Sequence, residues 1–156
     1  MGKATTAILS TITSAPTLVE QFATWRKHAR GNARALVDEL KENSIYFSMI
    51  TEDDVPIAQV LDKISVTEFK RLNKEGFDFN NLKRGKISHL PKVPNKELQA
   101  WKGKDVESLV VSIFDKINDL KIRHPHASEN KKYRWSVRIK NIQDRIALLL
   151  WYVQSK

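Results

Sequence analysis

The chain contains no cysteine, and only five glycines and five prolines among 156 residues. Without cysteine there is no disulfide, no thiolate nucleophile and no cysteine-ligated zinc, and the composition fits a reducing, cytoplasmic setting. Scarce glycine and proline, with apolar residues spread along the whole length, exclude a disordered or low-complexity chain and favour one ordered domain covering 1–156. Also missing are a glycine-rich phosphate loop, a Gly-x-Ser-x-Gly elbow and a His-Glu-x-x-His pair, which removes the commonest nucleotide-binding and hydrolytic chemistries. The apolar stretch within residues 1–16 is short and carries six Ser/Thr residues, so it makes neither a membrane span nor a signal core. A short helix using Ile8, Leu9 and Ile12 is the reading there, ahead of the loose myristoylation pattern of Gly2 and Thr6.

What is present in excess is positive charge. Lys and Arg number 27 against 18 acids, a net charge of +9, which points to an anionic partner with nucleic acid first. The charge is unevenly placed. Residues 35–70 hold eight acids against three lysines, whereas 80–104 hold seven bases against Glu97 alone. Residues 121–145 hold eight bases against Glu129 and Asp144, so the molecule is expected to be electrically two-sided.

Helical periodicity runs through most of the chain. Thr17 and Glu20 have capping-box spacing ahead of Leu18, Phe22, Trp25, Ala29, Ala33, Leu36 and Leu40, one amphipathic helix or two collinear ones broken near Gly31. Arg26, Arg30 and Arg34 stand four apart beside that apolar row. Pro56 opens a short helix with Ile57, Val60, Leu61 and Ile64. Ser65 and Glu68 form a second capping box for a helix that stops at Gly76. This pair has the outline of a helix-turn-helix, but Glu68 and Arg71 sit where a DNA reader needs apolar residues, so both helices are read as covers of the core. Residues 80–94 read as an irregular surface stretch anchored by Phe77 and Phe79, followed by a short helix from Asn95 to Trp101 closed by Gly103. From Asp105 the spacing of Val106, Leu109, Val110, Ile113, Phe114, Ile117 and Leu120 predicts a strong helix, ended by His124-Pro125-His126. A last helix from 129 carries Trp135, Ile139, Ile142, Ile146, Leu149 and Val153 on one stripe, with Lys131, Arg134, Arg138 and Arg145 on a face turned away from it.

The expected architecture is therefore all-α: a single-domain bundle of three long helices, about 17–48, 105–123 and 129–154, with shorter helices between. The leading functional expectation is non-catalytic binding of RNA or single-stranded DNA. Lys131, Arg134, Arg138 and Arg145 hold phosphates, and Arg26, Arg30 and Arg34 form a second row facing the same groove. Tyr133 and Trp135 stand among these charges as rings able to stack on unpaired bases, although Trp135 lies on the apolar stripe and is read as core ahead of platform. A module binding an acidic protein through its two-sided charge, or a homodimer built the same way, is the second expectation.

A third rests on spacing. Arg84-x4-His89 resembles the Arg-x4-6-His motif of the HEPN ribonucleases, small basic all-helical enzymes, although Gly85 stands where that family carries a polar residue. The resemblance implies metal-independent RNA cleavage with His89 assisting attack by the 2′-hydroxyl and Arg84 stabilising phosphate charge, usually in a cleft between protomers. No cofactor is expected. His124-x-His126 has no third ligand to complete a metal site, so no metal is expected either.

Overall fold

The structure, a computed structural model, describes residues 15–91 and 96–155. Within them six helices follow in order: α1 Ala15–His28, α2 Gly31–Glu52, α3 Ile57–Val60, α4 Thr67–Lys74, α5 Val106–Ala127 and α6 Trp135–Gln154. Single 3-10 turns occupy Phe79–Leu82, Lys96–Trp101 and Lys131–Tyr133. The fold is all-α, and the only β pairing among the described residues is an isolated bridge between Lys86 and Asp105. The expected helix around Ile8 to Ile12 and the cap at Asn95 lie outside the described residues. Thr17 falls inside α1 rather than at its cap, since α1 begins at Ala15.

The first long helix is broken in two. Arg30 is extended (φ −131°, ψ 147°) and Gly31 has φ +52°, a left-handed value that suits glycine. The halves are not collinear, because Arg26 Nε lies 2.8 Å from Asp38 Oδ1. Twelve residues of continuous helix would separate those two by about 18 Å. The chain folds back at Ala29-Arg30, so that Phe22, Trp25 and Ala29 bury against the same core as Leu36, Val37 and Leu40. Arg30 serves the corner by donating from Nη1 to the carbonyls of Lys27 (2.9 Å) and Ala29 (3.0 Å).

Helix α6 lies at the centre, packed on α5, α2 and α1. Residues Ile142 through Leu150 are all buried, and Trp135 and Val153 at its two ends are half-buried. The expected apolar stripe is therefore the core of the protein. The predicted rhythm of α5 is equally direct, with Val106, Leu109, Val110, Ile113, Phe114, Ile117 and Leu120 all buried. Its cap is Asp105, whose Oδ1 accepts from the Ser108 N–H at 2.9 Å. Hydrogen bonds from the Ser108 hydroxyl and N–H hold that carboxyl below its ordinary range.

Helix boundaries differ from the sequence reading in three further places. The last helix, expected from 129, begins only at Trp135, because Lys131–Tyr133 form a 3-10 turn and Arg134 after it is left-handed, which breaks the helical path. Pro125 does not end α5 but sits inside its last turn. A proline there forfeits one backbone bond, and the end of the helix is held from outside by Trp135 Nε1 and the Asn130 N–H, both donating to the Ala127 carbonyl at 3.1 and 3.0 Å. At α4 the expected Ser65–Glu68 box is replaced by a residue far away in sequence. The Glu39 carboxylate, buried on α2, accepts from the N–H groups of Glu68 (2.8 Å) and Phe69 (3.0 Å) and from the Ser65 hydroxyl (2.9 Å). Asn43, one turn on, grips Ser65 through its N–H (2.8 Å) and carbonyl (2.7 Å). Glu68 itself turns outward to Arg71.

The clamp docks Phe69, which stacks on Phe114 of α5 at 4.5 Å and 1°. Phe79 joins it at 5.3 Å and is fully buried, so the anchoring expected of Phe77 and Phe79 is present. Val60, Leu61, Ile64, Phe69 and Leu72 are buried, and α3 and α4 cover the core as read from the sequence.

Replacing Glu39 by Ala strands two helix N–H groups and is expected to cost about 2–4 kcal/mol in urea denaturation, with Gln recovering about half. A cost below about 0.5 kcal/mol would show that the clamp does not hold α4. Ile142→Ala, at the centre of α6, should cost about 2–5 kcal/mol in the same measurement.

Candidate nucleic-acid interface

The turn between α5 and α6 brings together the best part of the predicted site. Asn130 opens it, accepting at Oδ1 from the Lys132 N–H at 3.0 Å, and the 3-10 turn Lys131–Tyr133 follows. Arg134 closes it in the left-handed region, at φ 50° and ψ 60°. Arg134 also occupies the position that begins α6, where Ser, Thr, Asp or Asn ordinarily caps the helix. Here no side chain caps it, and the first turn of α6 carries no acid. The positive end of the helix dipole thus points into a group of cations, an arrangement that stabilises a bound anion.

Lys131, Lys132 and Arg134 are exposed, and their side chains have no ion-pair or hydrogen-bond partner among the described residues. Within 128–138 Glu129 is the single acid, against Lys131, Lys132, Arg134 and Arg138. Arg138 is exposed but engaged. Its Nε donates to the Tyr133 carbonyl at 2.7 Å and its Nη1 lies 3.3 Å from Asp119 Oδ2. Its guanidinium stands 5.1 Å from the Tyr133 ring centre and 5.6 Å from that of Trp135.

The two rings do not form an open platform. Tyr133 and Trp135 stack on each other at 5.0 Å and 13°, and His124 meets Trp135 at 5.1 Å from within. Trp135 is thus held between Tyr133 and His124 as part of the core, as its place on the apolar stripe implied, and the exposed charges are the more accessible part.

Arg145 departs from its expected row. It is buried (7% exposed), with Nη2 3.2 Å from Glu97 Oε2 and Nη1 donating to the Asn141 carbonyl at 3.0 Å. Its Nε has no partner among the described residues. The reason is the packing of α6, because the segment Lys96–Trp101 covers this side of the helix and brings Glu97 to it.

The second row is not a row. Arg26 on α1 is paired with Asp38, Arg30 caps the corner, and Arg34 on α2 is exposed without a partner among the described residues. Nor do the two rows share a groove. Arg138 lines a cleft of about 550 Å³ with Asp115, Asp119 and Asn141 between α5 and α6. Arg30 lines another, of about 680 Å³, with Trp25, Phe77 and Val153. Arg138 and Val153 belong to opposite ends of α6, about 22 Å apart along its axis.

No protein-family model matches this chain, and no curated protein or solved structure is detectably similar to it. Its chemistry has to be read from its own residues.

Arg84 and His89, the pair with the ribonuclease spacing, lie on an irregular segment rather than a helix. Arg84 is held by Asp78 at 3.0 Å and by Asn81, and His89 by Ser88 at 3.1 Å and the edge of Trp151 at 5.4 Å. Each side chain thus has its own local partners. Among the described residues no group of three His, Asp or Glu side chains is placed to hold a metal ion. No helix there is long and apolar enough to cross a membrane.

Asp119 was not anticipated. It is one carboxylate serving two arginines, Arg123 (Nε to Oδ1, 2.6 Å) and Arg138. Its position three residues before Ile122, on the polar side of the α5 rhythm, was the only available signal.

His124 supplies a pH dependence behind the turn. It is 7% exposed, and burial pushes its pKa below the ordinary 6.5. A depressed folded-state pKa contributes stability that is complete above the unfolded value, near 6.5, and is lost as pH falls through the folded value. The melting temperature should therefore drop as pH falls below about 6.5, and His124→Gln should flatten that part of the profile. An unchanged slope in the variant would place the acid sensitivity elsewhere.

Proposed function

We propose that this protein binds nucleic acid without catalysis, through phosphate contacts made by the 130–134 turn at the start of α6, in the cytoplasm. Arg134 is the observation that carries the reading. A non-glycine residue in the left-handed region costs about 1–2 kcal/mol, and glycine or asparagine would remove that cost. An arginine standing there, exposed and unpartnered among the described residues, is explained by what its charge meets rather than by what the turn needs. Lys131 and Lys132 add two further cations on the same turn, exposed and without a partner among the described residues.

Contacts of this kind recognise phosphates and not base edges, so binding is sequence-tolerant and sensitive to salt. The turn is a short feature projecting between two helix ends, and a flexible single strand of RNA or DNA follows it more readily than a rigid duplex does. The neighbouring rings hold the arginines in place instead of stacking on bases, which further favours backbone recognition.

Fluorescence anisotropy with labelled RNA, single-stranded DNA and duplex at 50 and 200 mM salt tests this. Binding should weaken with salt with a slope corresponding to about three to five phosphate contacts, and Lys131→Gln/Arg134→Gln should lower that slope by about 1.4 on a single strand. Absence of binding at 50 mM, or capture of an acidic protein in place of nucleic acid, would overturn the reading. Arg134→Gly separates function from folding: it should raise stability by about 1 kcal/mol while weakening binding. A loss of stability in that variant would mean the arginine is there for the fold.

A further inference from the structure

We propose that Asp119 is a built-in competitor for the phosphate site, an internal carboxylate that holds Arg123 and Arg138 until a nucleic-acid phosphate replaces it. This rests on the nucleic-acid reading above and identifies what tunes it.

The geometry is that of a shared anion. Oδ1 of Asp119 receives Arg123 Nε at 2.6 Å, and Oδ2 receives Arg138 Nη1 at 3.3 Å. Two guanidiniums converging on two oxygens of one group is also how a phosphate is held. Water reaches the arrangement, since the side chains of Asp119, Arg123 and Arg138 are 39%, 50% and 43% exposed. A carboxylate this exposed is exchanged for another anion at little cost, because surface ion pairs contribute little to stability.

The arginines do not depend on Asp119 for their placement. The Arg123 guanidinium lies 6.0 Å from the Tyr133 ring centre and that of Arg138 lies 5.1 Å from it. Arg138 is fixed besides by its bond to the Tyr133 carbonyl. Tyr133 itself is braced by its stack on Trp135. Once the carboxylate is displaced or neutralised, both cations remain beside the 130–134 turn, joined to Lys131, Lys132 and Arg134. The full footprint is five cations, of which three have no partner among the described residues and two are reserved.

A device of this kind sets affinity by competition. Weak anions, and nucleic acid offering only one or two phosphates, meet three cations. A longer strand that displaces Asp119 gains two more. The consequence is a preference for oligonucleotides that span the whole footprint over mononucleotides or inorganic phosphate.

Asp119→Asn is the direct test, read by anisotropy against a labelled single-stranded RNA at 50 and 200 mM salt. The variant should bind more tightly than wild type, and its advantage should shrink about threefold per released arginine on going from 50 to 200 mM salt. Glu42→Gln, which changes net charge equally on the exposed face of α2, should give no such gain. Adding Arg123→Gln and Arg138→Gln to Asp119→Asn should abolish it. If wild type binds RNA but Asp119→Asn matches it, or Glu42→Gln gains as much, the competitor role is wrong and the nucleic-acid reading stands. If neither wild type nor Asp119→Asn binds at 50 mM, both fall together.

Discussion

A helix that is apolar on every side has to be surrounded, and α6 is such a helix over its last two turns, Ile146 to Val153. The remaining long helices take their places from that requirement. Helices α1, α2 and α5 all pack on α6, and the fold-back at Ala29-Arg30 lets one amphipathic stretch cover it twice instead of once. Because Ile142 to Leu150 are buried, the polar start of α6 becomes the surface end by default. The separation of core from candidate site along a single helix is a consequence of solvation, since burying the cations of its first turns would be costly without partners.

The same requirement explains the polar residues caught inside. Gln143, Asp144 and Arg145 interrupt the apolar run and are buried with it. Each is met by a group from elsewhere or from the previous turn: Gln143 donates to the Thr51 hydroxyl at 3.1 Å, Asp144 pairs with Lys140, and Arg145 pairs with Glu97. The Glu39 clamp follows the same logic on α2, where a buried carboxylate is tolerated because three donors of the next segment converge on it. In this protein the charges inside organise the fold, and the charges left outside are the ones available to a partner.

What could be read in advance follows from the range of the interaction. Local rules gave α5 from Asp105 onward, the stripe from Ile139 to Leu149, and the two phenylalanine anchors, because spacing and capping are properties of neighbouring residues. The start of α6 was missed locally, at the left-handed turn of Arg134, and the other errors at the core were long-range. Helix α4 is capped by Glu39, and no local pattern reveals a partner some thirty residues away. The place of the break near Gly31 was visible, but its direction depends on where Trp25 and Leu36 find a common core. Pro125 was read as a terminator although Trp135, ten residues later, holds the turn that contains it. At the site, periodicity put Arg145 beside Arg138 correctly and still misjudged it, because helical spacing says which residues share a face and not what covers that face. Tyr133 and Trp135 were legible as aromatics among cations, but their stacking on each other required the left-handed turn at Arg134.

The claim that holds these parts together is that α6 divides by function at its first turns, partner-binding at the start and structural beyond. Backbone amide shift mapping by NMR during titration with a short RNA at low salt tests it most directly. The account predicts perturbations confined to residues 130–138 and the facing end of α5 around Asp119 and Arg123, with Ile142 to Tyr152 unmoved. Perturbations centred on the α1–α2 corner at Arg30 and Arg34, or none at saturating RNA, would contradict it.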